Sequence, residues 1–160
     1  MISIPQIFLK EIIDVAETTY PKECCGLLVG RENGAGALVV TRVVMSQNVT
    51  KGTGLDQFEI DPQVRFNIMR ELNNSDKNDE PRQRIIGHYH SHPNHPAQPS
   101  TTDLEKAYEP NLVWLITSVI DGQATLTTAH CINADGSQFR QIPLQTTDWH
   151  PYPTRQNPNR

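Results

Sequence analysis

The stretch Arg84–Asp103, RIIGHYHSHPNHPAQPSTTD, limits what this chain can fold into more than any other. Its Ile-rich start reads as a central strand. Side chains alternate along a strand, so His88, His90 and His92 project to one face as the strand runs out at its carboxyl end. The prolines of PNHPAQPSTT lower the entropy lost when the following loop folds back. Ser100 is placed to cap a short helix that brings Asp103 toward the end of the strand.

The remaining pattern supplies partners for that strand. Leu9, Ile12, Ile13 and Ala16 recur on one face of an expected helix between Ser3, a candidate N-cap, and Pro21. ECCGLLVGRE and GALVVTRVVMSQNV, joined by RENGAG, read as a β-hairpin. DQFEIDPQVRFNIMRELNNS predicts a short strand to Ile60, then a helix with Asp61 as N-cap and Pro62 at its first position, Val64, Ile68 and Leu72 facing inward. NNSDKNDEPRQR is a polar connection. NLVWLITSVI and GQATLTTAHCI form a strand pair turning at DG, and FRQIPLQ is expected to add an edge strand. Neither an internal repeat nor an interdomain linker is visible. Residues 1–145 are read as one domain and 146–160 as a Pro-rich tail.

Charge and composition exclude several function classes. The formal net charge is −4 and the 14 Lys and Arg residues are scattered, so no basic stripe points to nucleic acid. No apolar run is long enough to cross a bilayer, and the amino terminus lacks the pattern of a signal peptide, which places the protein in the cytoplasm. Three cysteines, two of them adjacent, are expected to be reduced.

Converging imidazoles suit zinc, and a carboxylate at Asp103 completes a three-ligand set that leaves one position for water. The competing reading of such a cluster is a solvated loop, or a site filled adventitiously. The flanking residues sharpen the comparison. HSH, ten further residues and Asp103, with Ser100 three before it and Glu23 upstream in YPKECCGLLVG, resemble the signature of the JAMM or MPN-plus metallopeptidases. NVTKGTGLDQFEIDP and HSHPNHPAQPSTTD add likeness to the small prokaryotic branch, so the resemblance spans most of Tyr20 to Ile132.

That resemblance implies an α/β fold, a curved mixed β-sheet flanked by helices, with a cytidine-deaminase-like architecture. It implies zinc held by His90, His92 and Asp103, with His88 outside the ligand set. Glu23 becomes the general base that takes a proton from water and hands it to the leaving amine; on its own it would read as a surface Glu starting a strand. Ser100 becomes a donor to the oxyanion, beside its role as a helix cap. His88 is a neighbour of the ligands, a pocket wall, or a buried histidine with no further role. Cys24 and Cys25 alternate across the strand, one toward the core and one toward the metal, and are read as inert packed thiols. Trp114 is read as core.

The implied activity is hydrolysis of the amide bond after the carboxyl-terminal Gly-Gly of a ubiquitin-like protein, in bacteria commonly a sulfur-carrier protein. Two rivals follow from the same fold. A non-catalytic module would bind a ubiquitin-like partner without cleaving it. A zinc deaminase would need the H-x-E and P-C-x-x-C ligand pattern, which is missing.

Overall fold

A single eight-stranded sheet organises the chain, in the order β7-β6-β5-β4-β2-β3-β1-β8. The strands are β1 (Ile2–Pro5), β2 (Cys25–Glu32), β3 (Leu38–Ser46), β4 (Arg84–Pro93), β5 (Val113–Ile120), β6 (Gln123–Ile132), β7 (Phe139–Ile142) and β8 (Leu144–Thr147). The helices are α1 (Gln6–Thr19), α2 (Pro62–Asn74) and α3 (Thr101–Glu105). This computed structural model describes residues 1–75, 78 and 81–148. Part of the polar connection, at 76, 77, 79 and 80, and the expected tail from 149 onward lie outside the described residues.

The histidine segment forms β4 in the middle of the sheet, antiparallel to β2 and parallel to β5. Parallel pairs β4–β5, β1–β3 and β1–β8 sit among antiparallel ones, so the sheet is mixed, as expected. One face packs on α1, where Ile12 and Ala16 meet Ile4, Leu28, Val40, Ile86 and Tyr89. The other packs on α2, where Ile68, Val64 and Leu72 meet Leu27, Val29 and Ile85. The pairing of β2 with β4 shifts between Leu28 and Val29, whose partners are Gly87 and Ile85. The unpaired Ile86 is a bulge that flips the parity of the strand. Ile86 therefore enters the α1 core while His88, His90 and His92 keep to the opposite face.

Local chemistry explains the elements around that centre. Asp61 caps α2 by accepting the Gln63 N–H, with Pro62 at the first helical position. Asp121 and Gly122 both have positive φ, the geometry of the tight turn between β5 and β6. Three expectations need correction. The short strand expected to end at Ile60 is absent, and Ile60 makes only an isolated bridge to Asn48. Ser3 is not a helix cap: it pairs with Val39 and Gln145 in β1, and α1 begins after Pro5 without a side-chain cap. Ile2 and Ile4 alternate into the core, a two-residue strand signal that the longer helical pattern overlies.

FRQIPLQ does not make one edge strand but two, at opposite edges of the sheet. Only Pro143 separates β7 from β8, and one residue spans only about 3.5 Å. The two edges must therefore meet at that corner, which bends the sheet into a nearly closed curve. The Pro143 carbonyl accepts the Ile2 N–H there. β8 runs to Thr147, two residues past the boundary expected at 145. No helix among the described residues is long and apolar enough to cross a membrane.

Candidate metal centre

The register of β2 against β4 builds the site. Cys25 is the partner of His90, and Ser91 N–H donates to the Cys24 carbonyl at 3.2 Å, so the next step along the ladder sets Glu23 opposite His92. Residues two apart share a face, which puts Glu23, His90 and His92 on the α2 side. Their ligand atoms all lie within 4.8 Å of one another, and all three side chains are buried. Glu23 Oε1 is 3.9 Å from His92 Nε2.

Asp103 arrives from α3. Its Oδ2 accepts the Ser100 N–H at 2.8 Å while Ser100 Oγ accepts the Asp103 N–H at 3.1 Å, a capping box that fixes the carboxylate at the helix start. Asp103 Oδ1 lies 3.3 Å from His90 Nε2 and Oδ2 lies 3.2 Å from His92 Nε2. The Ser100 hydroxyl accepts as a cap, so its own proton remains free to donate, and the residue is exposed.

The donor set fits a metal. His90 Nε2 and His92 Nε2 are 2.9 Å apart, a contact that requires a proton between two lone pairs or a cation that satisfies both. Two donors on one tetrahedral zinc, each at about 2.1 Å, stand about 3.4 Å apart, near the 2.9, 3.2 and 3.3 Å separations found here. His92 Nδ1 is 2.8 Å from the Pro96 carbonyl, which can only accept, so Nδ1 carries the proton and the neutral ring presents a lone pair at Nε2. His90 Nδ1 is buried without a partner and can take up the proton that Nε2 must release.

Electrostatics separate the two carboxylates. Burial opposes ionisation of Asp103, but hydrogen bonds from His90 and His92 outweigh it and hold the group well below the usual carboxylate range. Burial pushes Glu23 up to about 8, with His92 opposing and Asp103 adding to the rise. Glu23 Oε2 has no partner. Asp103 is thus a permanent anion, and Glu23 is a group that can carry a proton near neutral pH. Burial lowers His90. It also works against a proton on His92, where hydrogen bonds to Asp103 and Pro96 prevail and raise the pKa.

This has a measurable consequence for the metal-free protein. Glu23 binds its proton more tightly folded, near 8, than at its ordinary value of 4.5, so the stability tied to that proton is complete below about 4.5 and is lost as pH rises to 8. With a chelator present, Glu23→Gln is expected to melt above the parent at about pH 8.5, by a few kcal/mol in stability, and to match it near pH 4.5. Parallel thermal melts across that range check it; equal curves would remove the burial penalty from Glu23.

His88 stays apart from these donors. It is buried against Trp114, ring centroids 4.1 Å apart, and burial lowers it to about 3. His95 is exposed on the loop. Cys24 packs in the α1 core and Cys25 with Phe58 and Trp114 beneath the site. Burial pushes the thiols up to about 11 and 12, so both are protonated at neutral pH.

Other neighbours were not singled out in the sequence. Phe58 stacks on His90 at 4.3 Å and 17°, walling the donors off from water on that side. It lies in the segment read as a short strand to Ile60, which is held by side chains and one isolated bridge and not by a ladder. Asn48 is the organiser: its Nδ2 donates to the Glu23 and Gln57 carbonyls, and its Oδ1 accepts from Thr50 and Glu59. The Gly54 carbonyl accepts the Glu23 N–H, and Ser91 Oγ accepts the Cys24 N–H at 2.8 Å. Glu23 is therefore clamped from both sides.

Comparison with known proteins places the chain in a family. The family model for prokaryotic homologues of the JAB domain matches residues 5–131. The chain belongs to that family. This JAB-domain protein is accordingly a hydrolase of the metallopeptidase class. It is 33% identical over 122 residues to a desampylase of Haloferax volcanii, covering 76% of each chain. A desampylase of Pyrococcus furiosus is 29% identical over 113 residues, 71% of each chain. Among solved structures, a Desulfitobacterium hafniense protein superposes with a TM-score of 0.76 at 26% identity, covering 93% of this chain and 94% of that one. A Salinibacter ruber protein gives 0.66 at 27% identity, with 91% and 92% covered.

Proposed function

We propose that this JAB-domain metallopeptidase is zinc-dependent and hydrolyses the amide bond after the carboxyl-terminal Gly-Gly of a ubiquitin-like or sulfur-carrier protein. The observation that carries the reading is the meeting of two imidazole Nε2 atoms with an ionised carboxylate, beside a second carboxylate of raised proton affinity. Relatives named desampylases, which act on conjugates of ubiquitin-like modifiers, support the substrate class. Three cysteines without disulfide partners fit action in the cytoplasm.

His90, His92 and Asp103 hold the ion; Asp103 is assigned over Glu23 because it contacts both histidines and stays ionised. Zinc bound there supplies Lewis-acid chemistry, polarising an amide carbonyl and acidifying a water. Glu23 accepts the proton of the attacking water at its carboxylate and returns it to the leaving nitrogen. Ser100 directs its free hydroxyl proton at the oxyanion. Phe58 covers the His90 ring on one side of the site. A glycine tail suits so confined a site, since only a chain without side chains brings its carbonyl close.

The test uses a ubiquitin-like carrier bearing one amino acid after its Gly-Gly, the same conjugate with both glycines changed to Leu, and an unrelated unfolded peptide. Mass spectrometry is expected to show cleavage of the first at least ten times faster than the others, because the bulky tail blocks approach of the carbonyl. Equal cleavage of all three would leave a general peptidase.

A further inference from the structure

The loop after β4 is held in an unusual way. Its prolines, Pro93, Pro96 and Pro99, remove backbone donors, yet three successive carbonyls are each bonded by a side chain from a different strand. Ser118 Oγ on β5 donates to the His95 carbonyl at 2.6 Å. His92 Nδ1 on β4 donates to the Pro96 carbonyl at 2.8 Å. Thr128 Oγ1 on β6 donates to the Ala97 carbonyl. Ser118, Thr128 and Ala97 are all buried, so these donors have no water to replace a lost partner.

The proton directions follow from the acceptors. A carbonyl cannot donate, so the single Thr128 proton goes to Ala97, and the 2.9 Å contact between Thr128 Oγ1 and His130 Nε2 must be an N–H donated by His130. His130, Thr128 and Ala97 thus form a directed chain in which each bond polarises the next. The Ser118 and Thr128 bonds fall on the residues immediately before and after Pro96. Together they fix the one carbonyl that decides which ring nitrogen of His92 is protonated. If that carbonyl moved away, nothing would keep the proton on Nδ1. A proton on Nε2 would block the nitrogen that faces His90, Asp103 and Glu23.

We propose that Ser118 and Thr128 are positioning residues for the metal centre, acting through the loop carbonyls to hold His92 with its Nε2 lone pair directed at the ion. This rests on the zinc reading given above. It predicts an effect on metal affinity from two hydroxyls that touch none of the donors. Partners that orient a ligand from outside the coordination sphere are worth about 10–100-fold in metal affinity.

The experiment is chelator competition for zinc on the full chain, together with the visible spectrum of the cobalt-substituted protein, which reports ligand geometry directly. Thr128→Val keeps the shape and removes the hydroxyl; it is expected to weaken zinc at least tenfold and shift the cobalt bands. Thr128→Ser restores the hydroxyl and is expected to return both to within about twofold of the parent. Ser118→Ala is expected to move both in the same direction as Thr128→Val, and decides the matter alone should the valine variant fail to fold. Parental zinc affinity and an unchanged cobalt spectrum in Ser118→Ala and Thr128→Val would overturn the proposal. His92→Ala in the same series separates the two ideas. If it retains zinc, the metal assignment itself fails; if it loses zinc while the hydroxyl variants do not, only the positioning role fails.

Discussion

His92→Ala is expected to reduce zinc affinity by at least about a thousandfold and to abolish turnover, while the protein stays folded. Three protein donors hold a catalytic zinc, and two cannot do so well. His92 is the donor with most at stake, because its Nε2 lies within 3.2 Å of both His90 Nε2 and Asp103 Oδ2 and its Nδ1 anchors the return loop. Removing the ring leaves the Pro96 carbonyl with only the Gln98 N–H as partner and strips Asp103 of one of the two bonds that keep it ionised. Metal analysis after dialysis against a weak chelator checks the result, with His88→Ala as the control that keeps its zinc, since the His88 ring packs on Trp114 and meets His90 only ring to ring, at 6.4 Å between centroids. One zinc per chain in His92→Ala would refute the ligand set.

How much of this was legible in the sequence depends on the range of the interaction. The common face of His88, His90 and His92 is a local consequence of strand alternation. The return of Asp103 follows from Ser100 and the prolines, again within a few residues. Glu23 is different. It stands 67 positions before His90, and only the pairing of Cys25 with His90 places it at the site, so the reading of its position came from family resemblance and not from pattern. The bulge at Ile86 and the parting of β7 from β8 at Pro143 were invisible for the same reason: each depends on which strands become neighbours. Ile2 and Ile4 were overlooked because two alternating residues are too few to compete with the helical repeat that follows. Phe58 sits in the segment read as a short strand and Asn48 just before it, and their importance appears only once the ring is seen on His90 and the amide on the Glu23 carbonyl. Ser118 and Thr128 lie on strands whose pattern marks them as ordinary inward-facing hydroxyls.

Glu23→Gln is expected to lower kcat by about 10²–10⁴ while leaving zinc content, fold and KM close to those of the parent. The amide has nearly the size of the carboxylate, and the bonds with Asn48, Gly54 and Ser91 hold the backbone of residues 23 and 24 and not the side chain, so the backbone around it need not move. What it lacks is a lone pair basic enough to take a proton. In the parent, burial raises the proton affinity of Glu23 into the neutral range, and a cation held beside it would draw that affinity back down, which on the proposed mechanism would let Glu23 both accept a proton from water and release it to an amine. The glutamine variant can do neither. Its residual turnover is therefore expected to lose the acidic limb of the pH profile that Glu23 gives the parent, a change that a purely structural role would not produce. Glu23→Asp keeps the charge but withdraws it by one methylene from a group already 3.9 Å from His92 Nε2, and is expected to fall between the two. Parental kcat and an unchanged pH profile in the zinc-loaded Glu23→Gln protein would assign Glu23 to structure and require another base for the reaction.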